Sequence, residues 1–259
     1  MIHLVKKIYT NAGSIVAMLI LLSSGTLKAD PLTPTELHAT LGIVTSFILS
    51  DDTNKSVSHN GVTYGTVTSP YTGEVWLDRN LGASQVCTSF DDVDCYGDYY
   101  QWGRNADGHE DSMSNTTTTI ALNVNNVGHG YFIGTVDWAS VDITGTIRSA
   151  NWSEINGNSV CPIGFRVPTR AEFKVELYDV GSAQIANRND AFNSFLKLPS
   201  AGNRAYFLGA MANVGTAGYV WSVSSATDIS YPISFSEFSA SSTMQSLRGH
   251  GLSVRCIKN

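Results

Sequence analysis

The stretch CPIGFRVPTRAEF, residues 161–173, decides how the rest of the chain is read. Val160, Ile163, Phe165 and Val167 give an apolar strand end, and Pro168 stops it. Thr169 stands three residues before Glu172. In this T-x-x-E pattern a hydroxyl caps the N–H of the third helical residue, and that residue's carboxylate returns to the N–H of the cap. The spacing predicts a helix from 170 to about 178, ended near Gly181, with Phe173 and Leu177 four apart on its core face. A cysteine, a tight turn, a strand end and a helix start follow one another within a few residues, so the chain is built from short elements.

Downstream, a second short helix is predicted to start at Asp190, with Phe192, Phe195 and Leu196 inward. After Pro199 the segments RAYFLG, GYVWSVSS, YPISFSEF and LSVRCIKN read as strands separated by turns. Upstream, from Gly61, GVTYGTVTSPYTGEVWLDRNLG reads as two short strands around the turn signal SPYTG. Between them, residues 105 to about 158 are rich in Asn, Thr, Ser, Gly and Asp and carry little periodicity. So long an irregular stretch in a compact domain is usually functional. No strand–helix–strand alternation occurs, which argues against a parallel α/β sheet. The fold class is therefore α+β: curved antiparallel sheets, two short helices and long irregular loops.

The chain opens with MIHLVKK, followed by the mostly apolar SIVAMLILLSSGTL and then LKAD. A basic start, an apolar run too short to span a bilayer and small residues before a cut are the layout of a secretory signal peptide. Cleavage is expected after Ala29, with Gly25 as second choice. The expected organisation is a signal peptide at 1–29, a lead-in segment at 30–60 and one module at 61–259. Removing Lys6, Lys7 and Lys28 lowers the basic count from 16 to 13 against 22 acids, so the exported chain carries about −9. An acidic exported protein without a basic cluster is a poor partner for nucleic acid or anionic lipid. After signal removal no later stretch is long and apolar enough for a membrane helix, so the expected location is periplasmic, cell-surface or extracellular.

Four cysteines, Cys87, Cys95, Cys161 and Cys256, fit disulfides in an exported chain. Three pairings can be drawn. The favoured one is Cys87–Cys95, closing the loop CTSFDDVDC, with Cys161–Cys256 tying mid-chain to the C-terminus. A zinc site would need CxxC-like spacing or paired histidines, and neither is present.

Several segments together resemble the Fibrobacter succinogenes major paralogous domain, a family of exported bacterial domains. They are VWLDRNLGA at 75–83, CYGDYYQWGR at 95–104, CPIGFRVPTRAEF at 161–173, GYVWSVSS at 218–225 and LSVRCIKN at 252–259. That family is similar to the formylglycine-generating (sulfatase-modifying-factor) enzymes, a variant of the C-type lectin-like fold. The resemblance implies a loop-rich fold with its first and last strands close together, and a Cys161–Cys256 bridge suits it. Activity does not carry over. The reactive cysteine pair of the formylglycine enzymes has no counterpart, because Cys256 has no near partner in sequence. The calcium motifs Glu-Pro-Asn and Trp-Asn-Asp of sugar-binding lectins are also missing.

Three constellations remain as candidates. Asp91, Asp92, Asp94 and Asp98, around the small cysteine loop, offer the hard oxygens that calcium takes, though not at EF-hand spacing. A second acidic group, Asp107, Glu110 and Asp111, follows. Among the aromatics, Trp76, Tyr100, Trp102 and Trp221 lie in the family-like segments and are expected in the core. Trp138 and Trp152 lie in the irregular region and are expected at the surface. With Tyr96 and Tyr99 they are the candidate platforms for a sugar. For catalysis, none of the histidines sits in HExxH or beside GxSxG, and Asp78 and Asp98 are a conceivable carboxylate pair. Asp78-Arg79-Asn80 and Arg104 are expected to form an internal polar network. The expected function is non-catalytic binding of a surface or extracellular glycan through loops 88–158. The alternatives are a structural or protein-adhesion subunit of the cell surface and an enzyme of unknown reaction.

Overall fold

The computed structural model describes residues 56–259, together with a two-rung antiparallel ladder of Thr10–Asn11 on Ser14–Ile15. The chain divides into two units, residues 1–51 and 52–259, and the second carries the architecture. Apart from that ladder, the expected signal peptide and residues 30–55 of the lead-in lie outside the described residues.

The second unit is mixed α/β, with many short strands and few short helices. One four-stranded sheet has the order Phe165–Arg166, Ile257–Lys258, Val75–Leu77, Thr66–Thr68. A second has the order Met211–Ala212, Asn203–Arg204, Gly251–Leu252, Tyr100–Gln101. A third, of three strands, runs Ala217–Val220, Ile233–Ser236, Ala240–Ser241. The ladders in these sheets are antiparallel, whereas the short pair Thr116–Thr117 and Phe132–Ile133 is parallel. The final strand thus sits inside the first sheet, between the segment that opens the helix and the first long hairpin.

Helix α1 spans Thr146–Ser153, α2 spans Arg170–Leu177 and α3 spans Arg188–Asn193. In α2 the capping box predicted from Thr169 and Glu172 is present in both directions, and Arg166 adds a fork onto the Glu172 carboxylate. Phe173 and Leu177 are fully buried against Trp76 and Ile257. Ile163 departs from the expectation. It is 74 % exposed, because Gly164 at φ +82 turns the chain there and Phe165 N–H closes onto the Pro162 carbonyl. α3 starts two residues earlier than predicted, with the Asn187 side chain capping the N–H groups of Asn189 and Asp190. Leu196 is buried beyond its end, while Phe192 and Phe195 are half-buried.

Two expectations are corrected outright. Residues 146–153 are helical although sequence periodicity is weak there. Asp142 supplies the N-terminal support by accepting from the N–H groups of Ile147 and Arg148, and Arg148 and Trp152, four apart, face inward. RAYFLG is a strand only at Arg204. Tyr206 to Gly209 form a turn with Leu208 at φ +64. A further hairpin, Val57–His59 on Val62–Tyr64, turns at Asn60 and Gly61, φ +48 and +78, so strand structure begins ahead of residue 61.

Both expected disulfides are present, Cys87–Cys95 and Cys161–Cys256. Cys161 and Cys256 are fully buried in the cluster that holds Trp102, Trp152 and Trp221. The staple therefore crosses the core and joins the helix-entry segment to the last strand.

Arginine does much of the fixing that regular structure does elsewhere. Arg104, Arg148, Arg204, Arg248 and Arg255 are all buried to 2 % exposure or less. A loop-rich chain leaves backbone carbonyls without ladder partners, and a guanidinium offers five donors in a planar fork. Arg204 donates to the carbonyls of Gly209, Asp111 and Ser114. Arg248 does the same for Ile143, Thr144 and Ala226. Burial lowers Arg255 to about 9, so it remains a cation at neutral pH, held by Asn80 and the carbonyls of Leu77 and Leu196.

Candidate functional site

Arg104 organises the irregular region. Gly103, at φ +75, brings the chain so close to Arg148 that a Cβ would lie 2.4 Å from that side chain, and this sets the direction in which Arg104 enters. Its Nε and Nη2 hold Asp107 at 2.9 and 2.8 Å. Its Nη1 reaches Gln101 Oε1 and the Tyr131 carbonyl, and Nη2 also reaches the His129 carbonyl. Four hydrogen bonds and the ion pair to Asp107 thus turn the guanidinium onto the protein.

The loop pulled in by these bonds closes a cleft of about 380 Å³ between residues 104–107 and 124–130. Three amides, Asn105, Asn125 and Asn126, stand in its walls, with Gly128 and Gly130 beyond them. Val124 and Val127 contribute methyl groups from a small core that includes Ile133 and Trp138. Asn125 Oδ1 is bonded by Asn151 of α1. Asn105 Nδ2 donates to the Asn158 carbonyl at 2.6 Å, which fixes the amide's orientation and leaves its Oδ1 without a partner. Asn126 is exposed, and its side chain finds no partner among the described residues. His129 Nδ1 accepts the Tyr131 N–H at 3.2 Å, so the ring proton sits on Nε2. The His129 and Tyr131 rings lie 5.1 Å apart at 31°, and Tyr131 is 47 % exposed.

The sequence-predicted aromatics are not at this surface. Trp138 and Trp152 are both fully buried. Trp138 Nε1 is bonded to the Trp102 carbonyl and its ring backs Arg104 at 5.7 Å, while Trp152 packs on Trp102. Tyr96 and Tyr99 are buried too, at 6 % and 4 %, and Tyr99 donates to the Ala201 carbonyl. None of the four presents a ring face to a ligand. Their indoles are used in packing instead: Trp138 with Val124 and Ile133, and Trp152 on Trp102 in the main core. Tyr131 was missed because one tyrosine in HGYFIG carries no periodic signal of its own.

The four aspartates of the acidic loop do not converge. Asp92 is an intra-loop cap that accepts from Thr88, Gln85 and the Asp94 N–H, and these bonds lower its carboxyl. Asp91 accepts from Ser89, and Asp94 is exposed. Asp98 lies apart, beside Gly82 and the Tyr100 hydroxyl. Burial, and then the Glu110 carboxylate, push it up to about 6. Asp78 is paired with Arg79. Asn80 bonds the Tyr96 carbonyl and Arg255, so Asp78-Arg79-Asn80 form an internal network with Arg255, whereas Arg104 belongs to a separate set with Asp107 and Gln101.

Among the described residues, one group of acids and histidine comes together closely: Asp107, His109 and Glu110. His109 Nε2 accepts the Gln101 N–H at 3.1 Å, and its Nδ1 lies 2.8 and 3.2 Å from the two carboxylates. One ring nitrogen has spent its lone pair on a peptide N–H and the other carries the proton. The imidazole therefore has no lone pair to offer a cation, and the trio is a hydrogen-bonded brace. Burial raises the Asp107 carboxyl, but the His109 bond and Arg104 outweigh it and leave it below the ordinary carboxylate range.

No helix among the described residues is long and apolar enough to cross a membrane. No family model, curated protein or solved structure matches the chain.

Proposed function

We propose that this chain is an exported, non-catalytic binding module of C-type lectin-like fold, of the kind seen in the Fibrobacter succinogenes major paralogous family. It recognises a surface or extracellular glycan through the loops that follow the small disulfide. The observation that carries this reading is the cleft at 104–107 and 124–130. An arginine that makes no outward bond holds it open, amides line it, and the exposed Tyr131 ring adjoins it through His129. Amides match sugar hydroxyls, and an exposed ring offers a face for sugar C–H groups. The volume lies at the lower end of the roughly 300–1,000 Å³ usual for small-molecule sites, which suits the end of a glycan rather than a long run of it. Two disulfides and an acidic surface fit an extracytoplasmic setting.

The test is a glycan array probed with the exported chain, with and without calcium, followed by NMR or hydrogen-exchange mapping of any hit. Perturbation at residues 124–131 is expected. A folded sample that binds no glycan under either condition would falsify the reading.

A second reading, a protein-adhesion subunit, is favoured by exposed aliphatic side chains in the same irregular stretch. Leu122 is 81 % and Ile143 64 % exposed in a stretch poor in charge. Concentration-dependent light scattering of the wild type against Leu122→Ser/Ile143→Ser separates the two readings. Self-association lost in the variant favours adhesion, and a monomer at all concentrations counts against self-adhesion.

A further inference from the structure

The cleft's chemistry narrows its ligand, on the reading that it is a glycan site. We infer that it selects an uncharged sugar bearing an N-acetyl group. The argument rests on which groups are already used. Arg104 is the only cation in the lining, and it is buried with its guanidinium turned onto Asp107, Gln101 and two carbonyls. A carboxylate or sulfate on the ligand would meet no free positive charge, and it would sit near Asp107 and Glu110. A charged group brought into a cleft without a partner loses hydration with nothing in return. A cationic amino sugar fares little better. The Asp107 carboxylate is tied by Arg104 at 2.9 Å and by His109 at 2.8 Å.

What remains unspent is amide and methyl. Asn126 offers a carbonyl and an NH₂ with no partner in the fold, the complement of a secondary amide's N–H and C=O. Asn105 Oδ1 also has no donor, but it is sealed inside the wall with its amide held by the Asn158 carbonyl, so it makes no ligand contact. His129 Nε2–H adds a donor. Val127 is half-buried and its neighbour Val124 is packed on Trp138, so the wall also carries methyl surface on which an acetyl methyl can rest. A hydroxyl in place of the acetamide would lose that methyl contact and leave one amide hydrogen bond unmade, and a site built for a polar group discriminates best against a ligand lacking it.

Titration calorimetry of the exported chain with N,N′-diacetylchitobiose, cellobiose and the glucosamine disaccharide, with NMR on the same samples, tests this. The diacetylated sugar should bind at least about 10-fold more tightly than either comparator, one good hydrogen bond and a methyl contact being worth roughly that ratio. Asn126→Ala, at an exposed position, should fold normally and lower the affinity for the diacetylated sugar by about 3–10-fold, more than it lowers that for either comparator. Equal or stronger binding of cellobiose or the glucosamine disaccharide, with shifts at residues 124–131, overturns the acetamide selectivity and leaves the cleft a glycan site. Shifts confined to another face, or no binding by any sugar on a folded sample, remove the underlying reading as well.

Discussion

Trp138 Nε1 donates to the backbone carbonyl of Trp102 at 2.8 Å, and both indoles are fully buried. That bond ties the irregular stretch to the strand-bearing frame. It also turns a side chain that looks like a ligand platform in sequence into the keystone of a small satellite core with Val124 and Ile133.

Trp138→Ala should therefore behave as a core truncation. Loss of a buried indole costs about 3–5 kcal/mol, and Trp138→Phe, which keeps a ring but orphans the Trp102 carbonyl, about 1–3. Urea denaturation measures both. A variant as stable as the wild type would show that the indole does not hold this region.

Arg104→Met should release the loop at 128–131, because the carbonyls of His129 and Tyr131 lose their donors and Asp107 loses its cation. The expected loss is about 2–4 kcal/mol. Arg104→Lys should not restore it, since a point charge on a flexible stem cannot reach Asp107, Gln101 and two carbonyls at once. Hydrogen exchange at 128–131 is the local readout. Unchanged protection there would contradict the tether.

Tyr131 is tested in the opposite direction. Its carbonyl, not its ring, is the structural contact, so Tyr131→Ala should shift stability by no more than about 0.5 kcal/mol. The same change should weaken any glycan that the cleft takes. A large fall in Tm would mean that the ring is a core element after all.

The two disulfides should differ in weight. Cys161–Cys256 spans 95 residues and Cys87–Cys95 spans 8. In the chain-entropy account, removing the first costs about 4.7 kcal/mol and removing the second about 2.5. Paired Cys→Ser variants measured by denaturation give the order. The reverse order would show that the core-crossing bridge is dispensable.

Asp98 gives a pH signature. Burial and Glu110 raise its carboxyl to about 6 from 3.8, so between pH 4 and 6 the folded state holds more proton than the unfolded state. Stability from this group is full below pH 4 and falls as pH rises to 6. Asp98→Asn should remove that fall and be more stable than the wild type by about 1–2 kcal/mol at pH 7, the full two-unit shift being reduced by solvent at a part-exposed site. The readout is the difference between the two stability curves across pH 4–7. A difference that grows towards low pH would refute the assignment.

The local rules were legible wherever the chemistry is local. Thr169 and Glu172 announce their helix because a capping box is complete within four residues. SPYTG announces its hairpin, and Cys87 and Cys95 announce their small loop, for the same reason. The class followed as well: short antiparallel strands, a few helices and long loops. Sequence also placed Trp76, Trp102 and Trp221 inside.

Only the tertiary structure decided which polar and aromatic groups of residues 105–158 face inward. Helix α1 has no side-chain cap of its own and leans on Asp142. The cleft exists because Arg104, distant in sequence from the loop it closes, satisfies carbonyls 25 and 27 residues away. Where ladders do not pair the backbone, long-range side-chain donors must, and a guanidinium's partners leave no periodic trace in sequence. Packing drew Trp138 and Trp152 into the core while Leu122, Ile143 and Tyr131 of the same region stayed outside, a choice set in three dimensions rather than by any local pattern.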